Sequence, residues 1–435
     1  MIQALRRLSQ TQLARNIFAL YVVRIANQLL PLIVIPYLAR VLGPSGWGLV
    51  AFAQAFAMYG IITVEYGFEY SGTRAVARDR DQTARLSELI AGILGLQFLL
   101  ACLVGLAALL VQALVPEFQE QPLFLWAGLA FAVLQGFAPI WYFTGKERIP
   151  LIAAIDTGAK VVGTLSIFLL VKEPADGWLV LAASAFASLL STVTAYVILL
   201  REVRPGRPSI RLIGRTLQLG FSMFLMRVAV MMNTAGNTFL LGVLVAPQQV
   251  AFFAAGEKLC RPVAWLLQPV NSALLPRLSH LIGHSPDEAK TLAGLTILVM
   301  AGVGMSFGLA IWIAAPWLVA LFFGAGYEPA VAVMRVMAAI VPLIVLNAAL
   351  VSQWMIPHGL DRWLNVVVLS GTAINVGLAL VLAPLFGAYG MAWVAVVVEG
   401  FLLIGFLLVL QRAGLRPIRF GLLRTGFAWL ADAGR

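Results

Sequence analysis

Eight charged side chains lie well inside long apolar stretches of this 435-residue chain. They are the cations Arg24, Lys160, Arg227, Lys258 and Arg261 and the carboxylates Asp156, Glu257 and Glu399. An ionised group in hydrocarbon is costly, so such residues face a cavity or an opposing charge and mark pathways for substrates or ions. Five cations against three anions leave positive charge that pairing within the set cannot cancel. That excess suits a large anion, and arginine in particular grips phosphate with a planar, two-pronged fork.

Each candidate has a plainer reading. Arg24 lies about two turns into its apolar run, where an arginine can snorkel to the headgroups. Arg227 is deeper and snorkels less easily. Asp156 and Lys160 share a helix face at i, i+4, the spacing of a structural ion pair; the alternative is a cavity pair that exchanges partners during transport. Glu257 and Arg261 repeat that spacing, with Lys258 beside them. Glu399 is a candidate carrier of a coupling proton. Glu65 and Arg335 fall near helix ends, where snorkelling or lining a rim is expected.

Enzyme chemistry finds no support. The chain has no GxxxxGK[ST], HExxH or GxSxG, the motifs that bind phosphate, hold zinc or carry a nucleophilic serine. No cofactor and no metal are expected. Cys102 and Cys260 lie in apolar runs and read as packing residues. His280, His284 and His358 fall in or near loops and read as solvated. Without a nucleotide-binding module, transport would draw on a gradient or on a partner's energy.

The elements that must position these charges are membrane helices. The chain is 61% hydrophobic and 11% charged, with mean hydropathy +0.93. Soluble domains carry about 25% charged residues. A spanning helix needs roughly 20 mainly apolar residues. Twelve such runs are legible, at about 17–39, 47–70, 89–115, 122–144, 149–171, 177–200, 217–245, 249–275, 291–323, 330–356, 363–385 and 388–411. Pro31, Pro36, Pro139, Pro262 and Pro269 inside them should kink helices.

The net charge of +11 does not indicate nucleic acid, because the cations sit in short loops. Alternate loops hold 22 Lys and Arg on one side and only Arg40 and Lys172 on the other. The richer side is cytoplasmic by the positive-inside rule, which places both termini there. The most basic connector, REVRPGRPSIRLIGRT (201–216), divides the runs six and six. It suggests an N-lobe (1–200), the linker (201–216), a C-lobe (217–411) and a cytoplasmic tail (412–435). Val50-Ala51-Phe52 recurs as Val250-Ala251-Phe252, each opening the second helix of a lobe. In that register Asn27 falls opposite Arg227. Two lobes of even helix number would be parallel repeats.

The stretch ARNIFALYVVRIANQLLPLIVIPYLARVLGPSGWGLVAFAQAF (14–56) resembles the opening of the polysaccharide transporter family, the Wzx-type flippases. EYGFEYSGTRAVARDRD (65–81), PIWYFTGKERI (139–149) and FFAAGEKLCRPVAWLLQPVNSALLPRLS (252–279) extend the resemblance over most of the chain. It implies an all-α integral membrane fold of about twelve helices in two six-helix lobes, MOP- or MATE-like, around a V-shaped central cavity. It implies that an undecaprenyl-diphosphate-linked oligosaccharide, an O-antigen or exopolysaccharide repeat unit, moves from the cytoplasmic to the periplasmic leaflet by alternating access. The family usually shows a cationic cavity, and Arg24, Lys160, Arg227, Lys258 and Arg261 are the candidates for it here. The implied setting is the bacterial inner membrane, with membrane lipids around the protein and a polysaccharide polymerase and chain-length regulator as partners. A lipid II flippase is a related alternative. A multidrug exporter would favour a negative centre, and a glycan polymerase or ligase would need a long outer loop.

Overall fold

The structure, a computed structural model, describes residues 12–232 and 234–415, with side chains from Ile33 onward except at 222 and 229. Among them the regular structure is helical. First come α1 (Gln12–Glu65), α2 (Phe68–Arg78), α3 (Thr83–Leu114), α4 (Pro116–Glu120), α5 (Pro122–Gly136), α6 (Ile140–Gly145), α7 (Ile149–Leu170) and α8 (Gly177–Glu202). Then follow α9 (Ile210–Met232), α10 (Ala235–Leu244), α11 (Pro247–Trp265), α12 (Gln268–His284), α13 (Pro286–Phe322), α14 (Pro329–Ala338), α15 (Ile340–Leu350) and α16 (Asp361–Arg412).

Among the described residues all twelve apolar runs fall mainly on helix. Eight stretches among the described residues are long and apolar enough to cross a bilayer. Two of these contain a glycine break. Gly43 (φ 63°) divides α1 and Gly387 (φ 59°) divides α16, so each supplies two successive runs. The remaining two runs are α9 with α10 and α11 with α12. In the latter, a short break separates α11 from α12, and α11 carries Glu257, Lys258 and Arg261. Proline marks some interruptions: Pro139 precedes α6, and Pro269 lies in the first turn of α12.

The packing is that of a protein in lipid. Along α3 the buried face includes Ala91, Gly92 and Ala108, while Phe98, Leu106 and Leu114 are exposed. Small residues let membrane helices approach closely, and large aliphatic ones face the acyl chains. A continuous exposed strip of this kind is not tolerated in water. The chain is a multi-pass membrane protein. Cys260 is buried as expected, but Cys102 lies on the exposed face of α3.

The chain forms two compact units, the first ending at Phe239 and the second beginning at Leu240. In the first, α5 packs on α1 and α8, and α7 packs on α8. In the second, α13 packs on α14 and α15, α11 on α14, and α15 on α16. The division does not coincide with the basic linker 201–216. Helix α9, which follows the linker, packs on α3 and α2 of the first unit. The reason is close contact: Tyr66 stacks on Phe224 with ring centroids 4.7 Å apart, and Gly220 leaves no room for a side chain against Tyr66. The recurring triplets occupy equivalent places. Val50-Ala51-Phe52 and Val250-Ala251-Phe252 are all buried, near the start of the helical segment after Gly43 and of α11.

Candidate functional site

Two charge clusters stand out, one in each unit. The first is built on a turn. Helix α1 ends at Glu65, Tyr66 (φ 49°) and Gly67 (φ 71°) reverse the backbone, and α2 begins at Phe68. A positive φ costs an L-residue steric strain that glycine avoids. Gly67 is further required because a Cβ there would lie 2.8 Å from Met223 Cβ on α9. The Ser71 hydroxyl and the Tyr70 and Ser71 amides all donate to the Gly67 carbonyl and hold the turn. The reversal brings Glu65 and Glu69 together opposite Arg227. Arg227 Nη1 donates to Glu65 Oε1 at 2.6 Å and to Glu69 Oε2 at 2.9 Å. The three side chains are 22%, 18% and 44% exposed, in the order Arg227, Glu65, Glu69.

The second cluster lies on α11, α15 and α16. Arg261 is buried, and its Nε donates to Glu257 Oε1 at 3.0 Å. Asn347 Nδ2 donates to Glu399 Oε2 at 2.8 Å and to the Glu399 carbonyl at 3.1 Å. Lys258 follows Glu257 directly on α11.

Of the remaining candidates, Lys160 Nζ donates to Asp156 Oδ2 at 2.6 Å, the ion pair within one helix that their spacing suggested. Arg24 falls on α1, but its side chain lies outside the described residues. Arg335 lies over the Trp312 ring at 5.2 Å. His280 and His284 are exposed and stacked, whereas His358 is half-buried, stacked on Trp354 with Nδ1 facing the Trp354 carbonyl at 2.7 Å.

The structure adds carboxylates to the charge set. Glu65, expected to snorkel or line a rim, is a direct partner of Arg227. Arg227 therefore has acidic partners outside the set of eight. With Glu65 and Glu69 included, the cations are Lys160, Arg227, Lys258 and Arg261, and the carboxylates are Asp156, Glu65, Glu69, Glu257 and Glu399. The sequence signal was weak because Glu65 and Glu69 sit at the end of a run, next to an ordinary loop.

Two of the stretches that carry the resemblance pack on each other. Residues 65–81 contain α2, and residues 139–149 contain α6, its neighbour. Trp141, Tyr142 and Phe143 are fully buried. Thr73 Oγ1 donates to the Trp141 carbonyl at 3.3 Å, and Gly145 lies tight against Val76. At the rim Lys146 donates to the Arg80 carbonyl, Arg80 pairs with Glu147 at 3.2 Å, and Glu202 takes both Arg148 and the Tyr142 hydroxyl. These motifs therefore build the corner that carries Glu69.

A multi-pass helical bundle with a partly or fully buried arginine–carboxylate pairing in each unit has the construction of a membrane transporter. The fold is that of the MOP superfamily. It matches a solved structure of the lipid II flippase MurJ in an inward-closed conformation with TM-score 0.66 and 13% identity, over 90% of this chain and 87% of that one. It matches an inward-facing multidrug resistance MATE family transporter with TM-score 0.62 and 16% identity, over 87% and 94%. Residues 13–282 match the family described as "Polysaccharide biosynthesis protein", and the chain belongs to that family. A protein of Escherichia coli (strain K12) named "Putative O-antigen transporter" is 26% identical over 386 residues, 88% of this chain and 93% of its own. One of the same name from Shigella dysenteriae is 29% identical over 390 residues, 87% and 94%. The resemblance to Wzx-type transporters is borne out.

Proposed function

We propose that this protein is a flippase for an undecaprenyl-diphosphate-linked oligosaccharide, an O-antigen or exopolysaccharide repeat unit. It carries the unit from the cytoplasmic to the periplasmic leaflet of the bacterial inner membrane by alternating access, with both termini cytoplasmic. The observation that supports this most is the match to two O-antigen transporter relatives along nearly nine-tenths of the chain. The protein is a transporter rather than an enzyme. A polymerase and a chain-length regulator would take up its product.

Arg227 is the residue we assign to the diphosphate, with Arg24, Lys160, Lys258 and Arg261 as further cations of the route. Both carboxylates at Arg227 use a single nitrogen, Nη1. A guanidinium has five N–H donors in a plane, so a phosphate can engage its other edge before the carboxylates leave. Glu65 and Glu69 hold the site while no lipid is bound, and exchange of carboxylate for phosphate keeps the arginine's charge matched throughout. The lobe boundary we assign to transport is the basic linker 201–216.

The test is restoration of surface polysaccharide in a strain lacking its own flippase, supplied with the glycan cluster that encodes this chain. The wild type restores it and Arg227→Ala, inserted normally, does not. Restoration of lipid II transport instead, in a strain depleted of that flippase, would refute the substrate assignment.

A further inference from the structure

The linker between α8 and α9 has a property the flippase reading does not use. Arg201, Arg204, Arg207, Arg211 and Arg215 are all exposed, and no carboxylate among the described residues lies within ion-pair distance of any of them. The arginines of the neighbouring loops differ. Arg78 and Arg85 share Asp79, Arg80 holds Glu147, and Arg148 holds Glu202. Glu202, the acid nearest in sequence, is thereby committed elsewhere.

The linker is also fixed in place. Ser87 Oγ on α3 donates to the Arg204 carbonyl at 2.7 Å, and the Gly206 amide donates back to the Ser87 carbonyl at 3.4 Å. Val203 is buried. Pro208 and Ile213 press against α3 at Gly95, whose missing side chain admits them. Thr216 turns inward while Arg211 and Arg215, one turn apart, face out. Among them stands Ile210, 90% exposed, and Leu217 and Phe221 continue the exposed apolar surface along α9.

We propose that this arginine strap is a docking surface for anionic phospholipid headgroups of the leaflet it faces. Guanidinium groups without a carboxylate partner among the described residues take the lipid phosphates, and Ile210 enters the boundary with the acyl chains. Cationic residues followed along one helix by exposed apolar ones match the order of a membrane surface, headgroup then hydrocarbon. A soluble acidic partner would match the arginines but leave Ile210 in water. The lipids so held pin the connection between α8 and α9 to the interface.

The full chain is purified in mixed vesicles of zwitterionic phospholipid with a minority of phosphatidylglycerol, and retained lipid is read by native mass spectrometry. The wild type retains phosphatidylglycerol preferentially. Replacing the five strap arginines by glutamine abolishes the preference, and each single Arg→Gln weakens it about five-fold. The triple variant of the paired set, Arg78→Gln, Arg80→Gln and Arg85→Gln, keeps the preference. Ile210→Asp alters an exposed position, retains every arginine, folds, and reduces retention. Equal loss from strap and paired-set variants would overturn the proposal, because net charge alone would then explain retention. Unchanged retention in Ile210→Asp, or displacement of the lipid by soluble inorganic pyrophosphate, would overturn it in favour of a soluble anion.

Discussion

Arg227 Nη1 and Glu65 Oε1 meet at 2.6 Å although 162 residues separate them in the chain. The contact closes α9 onto the turn after α1, and Glu69 joins it from the first turn of α2. Removing one partner of such a pair leaves the others charged and unmatched. Arg227→Ala should lower stability by about 3 kcal/mol, the low end for a broken buried pair because the site is partly exposed. Adding Glu65→Gln and Glu69→Gln to Arg227→Ala should recover most of that loss without recovering transport. Thermal unfolding in detergent, run beside the surface-polysaccharide assay, separates the two effects. Recovery of transport in the triple variant would show that Arg227 serves structure alone.

Arg227→Lys asks a different question. A lysine supplies the charge but not the planar fork, so it can satisfy Glu65 or Glu69 as a point charge. Stability should stay within about 1 kcal/mol of wild type, the scale of a typical single hydrogen bond. Transport should fall strongly if phosphate is gripped bidentately and persist if point charge suffices.

Gly67→Ala should cost about 1–3 kcal/mol, since the new methyl meets both a left-handed backbone and Met223 Cβ. The lesion should spread to the site, because the turn sets the Glu65–Glu69 spacing. A disulfide-trapping or spin-label distance between α1 and α9 should lengthen in this variant. Gly105→Ala, where no atom lies within 4 Å of an added Cβ, is the matched control.

In the second unit, Asn347→Leu removes the amide that donates twice to Glu399. A destabilisation of about 1–3 kcal/mol is expected, as for any buried acceptor left without its donor. Glu399→Gln keeps an acceptor oxygen for Asn347 and should be much milder. Chemical denaturation of both variants checks the order, and equal losses would contradict it.

The turn between α13 and α14 carries a pH signature. The Gly326 amide donates to Glu328 Oε1 at 3.1 Å, and backbone hydrogen bonds hold this carboxyl below its ordinary value. A depressed folded-state value means the ionised carboxylate favours the folded turn. Its contribution is present above the unfolded-chain value, near about 4.3, and disappears as pH falls through the lower folded value. Glu328→Gln should therefore narrow its gap from wild type on acidification and show a constant gap from neutral pH down to about 5. Hydrogen exchange at the Gly326 amide gives the measurement.

Much of this protein was readable without coordinates. The twelve apolar runs are helices because hydrocarbon obliges every backbone amide to find a partner within its own segment, and that requirement is local. Ion pairs at i, i+4 were readable for the same reason. Asp156–Lys160 and Glu257–Arg261 both formed, since one helix turn sets their distance. The family resemblance was legible because its motifs, 65–81 and 139–149, are contiguous stretches.

What spacing could not carry was the charge account of the site. Arg227 reads as a deep cation and Glu65 as a rim residue, while Glu69, at the end of the run 47–70, carries no assigned role. Their meeting depends on a two-residue reversal at Tyr66 and Gly67 and on the approach of α9 to that turn. The same approach joins α9 to the first unit although the basic linker precedes it. Sequence alone determined that charges lie deep in a helical membrane protein. Only the tertiary structure decided which of them face one another, because a Coulombic partner is chosen by distance in space and helix packing sets that distance.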